Sequence, residues 1–123
     1  MIATTILNST ITVYWPLDNN PNDLYNVYNG IGVNSPNYVT GYTGFNNTAL
    51  NCVKSSTQYV IVNTPYFNFT GRSFTIELWF YATSLISSID YGLFGQCQTG
   101  AVDQCFLCMT RNNNLRLAFY GGR

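Results

Sequence analysis

Few residues in this chain can do chemistry, and their types narrow the choice at once. There is no histidine, so neither a Ser-His-Asp nor a Cys-His relay can be assembled. The acids are Asp18, Asp23, Glu77, Asp90 and Asp103. Glycoside hydrolysis needs two carboxylates flanking the scissile bond, one acting as acid and one as base or nucleophile. Glu77 is the single glutamate, and the residues two positions away are Thr75 and Trp79. No second acid therefore shares its face of a strand. The expectation is a protein that is not an enzyme.

The cysteines are the other reactive groups. Cys52, Cys97, Cys105 and Cys108 allow three pairings. Cys105-Phe-Leu-Cys108 has the form of a C-x-x-C, but a redox motif opens a helix beside a βαβ pattern, and none is present. Zinc would need a second paired motif or histidines. If the segment is a strand, residues three apart point to opposite faces and cannot share one metal. The same parity assigns Cys105 and Cys108 different partners. Cys97–Cys105 would close a hairpin loop and Cys52–Cys108 would tie an early strand to a late one, with free thiols as the alternative. In the chain-entropy model the short link contributes ~2.6 kcal/mol and the long one ~4 kcal/mol.

Bulk composition sets the context. The chain of 123 residues, taken as one domain over 1–123, is 46% hydrophobic and 8% charged, with zero net charge. Arg111, Arg116 and Arg123 are too few for a nucleic-acid surface. No apolar run approaches the length of a membrane span. Asn outnumbers all charged residues, sixteen to ten, and a neutral surface rich in Asn and Thr points outside the cell. Asn8, Asn46 and Asn68 each begin an N-x-[ST] sequon. Met1–Leu7 lacks the positive region of a signal peptide. The expectation is that the true start lies upstream or that the chain is an internal piece.

These residues must be positioned by strands. Over Ser73–Thr83, Phe74, Ile76, Leu78 and Phe80 alternate with Thr75, Glu77, Trp79 and Tyr81. The period of two predicts a strand with the first set buried and Glu77 exposed. Trp79 and Tyr81, on the wetter face, are the candidate ligand-binding rings. Thr10–Leu17 reads as a first strand, and Asp18–Asp23 as a turn cluster. Leu24–Gly44 reads as a long loop packed down by its tyrosines. Further strands are expected at Ala49–Val53, Gln58–Val62, Tyr91–Gln96, Phe106–Arg111 and Leu115–Tyr120. The turns lie at Lys54–Thr57 and Asn112–Asn114, and no helical spacing occurs. The fold class expected is all-β, an antiparallel two-sheet jelly roll or β-sandwich.

Tyr14-Trp-Pro-Leu-Asp18, Gly44-x4-Ala49-Leu50, Gln58-Tyr-Val-Ile-Val62, Ser73-Phe-Thr-Ile-Glu-Leu-Trp79 and Asn114-Leu-Arg-Leu117 together resemble the laminin-G-like jelly roll of the concanavalin A-like lectin/glucanase superfamily. The resemblance spans nearly the whole chain. It stops before the family's next Trp-containing strand, so the pattern implies a fragment, incomplete at the C-terminus. Such a fragment would have open sheet edges and large apolar residues less buried than in a closed core.

The resemblance implies a non-catalytic extracellular recognition or adhesion module that binds a glycan or an extracellular protein. A structural spacer of a multidomain ectodomain is the alternative, with a glycosidase of the superfamily behind it. No cofactor is expected. Calcium is the one candidate metal, because some domains of this kind hold it at a loop rim, where Asp90 and Asp103 could serve.

Overall fold

Among the described residues, short runs of β-branched and aromatic residues, separated by Asn, Gly and Pro, form seven strands, and the fold is all-β. The computed structural model describes residues 13–63, 73–86, 88–97 and 105–120. The strands are β1 (Ile31–Val33), β2 (Asn37–Val39), β3 (Ala49–Asn51), β4 (Tyr59–Ile61), β5 (Tyr91–Cys97), β6 (Cys105–Arg111) and β7 (Asn114–Tyr120). They form three antiparallel sheets, β1-β4, β2-β3 and β5-β6-β7. Among the described residues there is no α-helix, only a 3-10 turn at Lys54–Ser56 that ends on Thr57 in the left-handed region. The chain divides into two compact units, 1–75 and 76–123.

In the first unit the pairing is nested. β2 and β3 form an inner ladder with Tyr38 opposite Leu50, and β1 and β4 an outer one with Gly32 opposite Val60. Strands of three residues make few ladder bonds, so side chains complete the work. The Gln58 side chain accepts from the Val53 N–H at 2.9 Å and donates to the carbonyls of Asn34 and Ser35 at 3.1 Å. It thereby ties the β1–β2 connection to the β3–β4 connection. Gly30 enters β1 where a Cβ would lie 2.4 Å from Val60 Cγ1 and 2.9 Å from the Pro21 carbonyl oxygen. Only glycine allows that approach.

Asp23 organises the rest of this unit. It is 1% exposed. Its carboxylate accepts from the backbone N–H of Tyr14 at 2.9 Å, Val27 at 3.2 Å and Tyr28 at 3.3 Å. The Leu24 N–H then returns to the Tyr14 carbonyl at 2.8 Å. Burial pushes the Asp23 pKa up, but the N–H groups of Tyr14, Val27, Tyr28 and Tyr25 outweigh it and hold the carboxyl below its ordinary 3.8.

Several expectations need correction. Residues 13–17 of the expected first strand form no strand, and residues 10–12 lie outside the described ones. The physical reason is that Tyr14 spends its N–H and carbonyl on Asp23 and Leu24, while Leu17 turns to φ 60°. The expected loop Leu24–Gly44 contains β1 and β2, which find partners in β4 and β3. Ser73–Ala82 carries no strand, and Phe74, Leu78 and Phe80 are exposed, like Glu77. Alternation shows which side chains could share a face, but a strand also needs a neighbour to pair with, and no described strand pairs with this segment.

In the second unit β5, β6 and β7 form a meander. β6 and β7 pair without interruption from Cys105↔Tyr120 to Arg111↔Asn114. The turn between them places Asn112 and Asn113 at φ 52° and 60°, which gives a two-residue hairpin of the Asn-rich kind.

Asp23→Asn should lower stability by ~1–3 kcal/mol at neutral pH, because an amide cannot accept from all of these donors. The native carboxyl binds its proton more weakly than the unfolded one. Its stabilisation is therefore complete above 3.8 and is lost as the pH falls through the lower native value. Urea unfolding of both chains at pH 7 and at pH 3 should show the gap narrowing in acid. Equal stability at pH 7 would refute the role.

Candidate functional site

The register of the β5-β6-β7 sheet sorts its side chains onto two faces, since residues directly opposite in an antiparallel pair share a face. On one face stand Phe94, Phe106, Cys108, Leu115, Leu117 and Phe119; on the other stand Leu107, Met109, Arg111, Arg116, Ala118 and Tyr120. Three rings form a row across the first face. Phe94 and Phe106 have centroids 6.0 Å apart, and Phe106 and Phe119 4.9 Å, both tilted. That spacing lies in the favourable range for aromatic pairs. Phe106 is buried, as are Met109 and Thr110. Along β7 the burial stops: Leu115, Leu117 and Phe119 are 64%, 61% and 67% exposed.

The opposite face carries the charge. Arg111 at the end of β6 makes a two-pronged ion pair with Asp90, Nε to Oδ1 and Nη2 to Oδ2. Its hydrogen bond with Asp90, and then the charge of that carboxylate, raise the Arg111 pKa above its ordinary value. Arg116 stands diagonally across from it on β7, opposite Met109. An open groove of about 410 Å³ lies here, and Met109 and Arg111 of β6 line it together with Arg116, Ala118 and Tyr120 of β7. These five residues share one face, so the groove lies over the charged face of the β6–β7 ladder.

Trp79 and Tyr81, the expected ligand-binding rings, are 81% and 90% exposed. A tryptophan this open is uncommon, since its large apolar area normally finds cover. Both belong to the second unit.

Both carboxylate oxygens of Asp90, a calcium candidate from the sequence, face the Arg111 guanidinium. Asp103 lies outside the described residues. No group of three potential metal ligands occurs among the described residues. Cys97 and Cys105 form a disulfide, directly opposite each other in the β5–β6 register. Cys105 and Cys108 both lie on β6 and project to opposite faces, as strand parity requires. Cys52 and Cys108, expected to bridge, are both free thiols. Cys52 follows β3 of the first unit and Cys108 lies in β6 of the second, opposite Phe94 and Leu117. Strand parity excluded a shared partner for Cys105 and Cys108 but contained nothing that brings Cys52 to Cys108.

Among the sequons, Asn46 is exposed in the turn between β2 and β3, its Oδ1 accepting from the Thr40 hydroxyl at 2.9 Å. Asn8 and Asn68 lie outside the described residues. Sequence reasoning missed Asp23 and the exposed β7 row. Asp23 carried a signal in its Asn-rich surroundings, where Asx turns are common. The exposure of β7 had none, because its alternation equally describes a covered strand.

No family model, no curated protein and no solved structure matches this chain.

Alkylation of the unfolded, unreduced chain with iodoacetamide should mark Cys52 and Cys108 alone, and all four cysteines after reduction. Peptide mapping checks this, and an unreduced chain that takes up no label would restore the second bridge. Reducing Cys97–Cys105 should cost up to ~2.6 kcal/mol in a denaturant melt.

Proposed function

We propose that the chain is a non-catalytic recognition module that binds a glycan through Trp79 and Tyr81. The observation that carries this reading is the exposure of both rings, two residues apart in one segment. Flat aromatic faces stack on the apolar faces of sugar rings, and their polar edges hydrogen-bond at the rim. The surrounding surface suits a neutral ligand, since the chain has zero net charge and draws its polarity from Asn, Thr and Ser.

The acids support a binding role rather than a catalytic one. Asp23 is buried among backbone donors, Asp90 is held by Arg111, and Glu77 is exposed with Thr75 and Trp79 as its alternate neighbours. We place the module in the laminin-G-like group, with an antiparallel β-sandwich as its fold, on the residue patterns at Gln58–Val62 and Asn114–Leu117, which carry β4 and part of β7. An extracellular setting follows from the same reading, and the Cys97–Cys105 disulfide fits an oxidising compartment. No helix among the described residues is long and apolar enough to cross a membrane.

A second reading, docking to an extracellular protein, draws on Leu78 and Phe80, which are exposed in the same segment. A protein partner would cover these two groups together with Trp79. A spacer role would use none of them.

A glycan array probed with the chain, with Trp79→Ala and with Tyr81→Ala separates the readings. Saccharide binding that each variant weakens by about tenfold supports the glycan reading. An array without signal would overturn it. The chain should release no sugar from β-glucans, and Glu77→Gln should leave binding unchanged; turnover lost in that variant would reassign the chain as an enzyme.

A further inference from the structure

The two edges of the β5-β6-β7 sheet differ in a way that bears on assembly. β5 is a blunted edge: its register shifts between Gly92 and Phe94, Gly92 and Gly95 interrupt its side chains, and Cys97 ties its end to β6. Bulges and glycines of this kind discourage a further strand from adding. β7 has none of these devices. It pairs with β6 through all seven residues without a shift, and among the described residues no strand lies on its other side. Its outer edge therefore offers backbone donors and acceptors beside three large exposed apolar side chains, Leu115, Leu117 and Phe119.

We propose that β7 pairs antiparallel with β7 of a second copy of this chain, joining two three-stranded sheets into one of six strands around a two-fold axis at Leu117. The strand Asn114–Tyr120 is complementary to itself in this register. Full-length antiparallel pairing centres on Leu117, with Leu115 facing Phe119 of the second copy and Leu117 facing its own equivalent. Each is an apolar cross-strand pair on the face that already carries the Phe94–Phe106–Phe119 row. The one charge on the strand, Arg116, falls opposite Ala118 of the second copy.

This register pairs all seven residues, and two alternatives to it are worse. A shift that sets Arg116 against Arg116 juxtaposes like charges. A slip by one residue turns the two apolar rows to opposite faces. Such an interface is isologous and closes at two copies.

Analytical ultracentrifugation of the chain from about 1 to about 100 μM should show a reversible monomer–dimer equilibrium. Leu117→Lys sets two ammonium groups side by side on the axis and should raise the dissociation constant by about tenfold or more. Ala118 gives a test that general destabilisation cannot mimic. Ala118→Glu faces Arg116 of the second copy twice per dimer and should tighten it by about five-fold, whereas Ala118→Lys should weaken it by a similar factor. Thermal melts of the same samples check that each variant is folded. A monomer at every concentration overturns the proposal. So does an open-ended series of larger assemblies, or a dimer on which the two Ala118 variants act alike. Trp79→Ala should leave the equilibrium unchanged, which keeps this test separate from that of glycan binding.

Discussion

The Asp23 carboxylate is the interaction on which the path of the first unit depends. A carboxylate removed from water is costly unless hydrogen bonds replace its solvation. Here backbone N–H groups from both sides of a turn converge on it, Tyr14 from before and Val27 and Tyr28 from after. The buried charge is thus satisfied by the chain that it folds. The neighbouring Trp15 indole donates to the Tyr28 carbonyl at 2.8 Å, and the Gly30 N–H to that of Pro21 at 2.9 Å. Once these contacts form, residue 31 is delivered to the start of β1.

The second unit is held by a different means. A seven-residue ladder between β6 and β7, a bulged one between β5 and β6, and the Cys97–Cys105 bridge define it. Backbone pairing needs no buried charge, and the hairpin turn at Asn112–Asn113 sets the register. Cover is concentrated on the middle strand, where Phe106, Met109 and Thr110 lie. The outer strand keeps its apolar row open. Both features that we read as functional, the exposed rings at Trp79 and Tyr81 and the edge at β7, belong to this unit.

The hairpin strands were legible in the sequence. Tyr91–Cys97, Cys105–Arg111 and Asn114–Tyr120 lie within a residue of their expected bounds, because local signals coincide there. Alternation, a strong Asn turn and a nearby cysteine pair all specify the same register. β3 and β4 were legible for the same reason, separated by a short polar turn. β1 and β2 were not. Three-residue strands inside an Asn- and Gly-rich stretch have no period long enough to recognise, and they exist because β4 and β3 offer them partners.

Sequence alone determined the all-β class, the absence of any His-dependent chemistry, the opposite faces of Cys105 and Cys108, and the aromatic character of Ser73–Thr83. Each follows from residue type or from the period-two geometry of a strand, which are local properties. Tertiary structure decided the rest. It buried Asp23 instead of leaving it in a solvated turn, gave Asp90 to Arg111, left Cys52 and Cys108 unbridged and left Phe74, Leu78 and Phe80 uncovered. Those outcomes depend on which distant segment supplies a donor, a counter-charge or a covering surface. No short-range pattern encodes the identity of that segment.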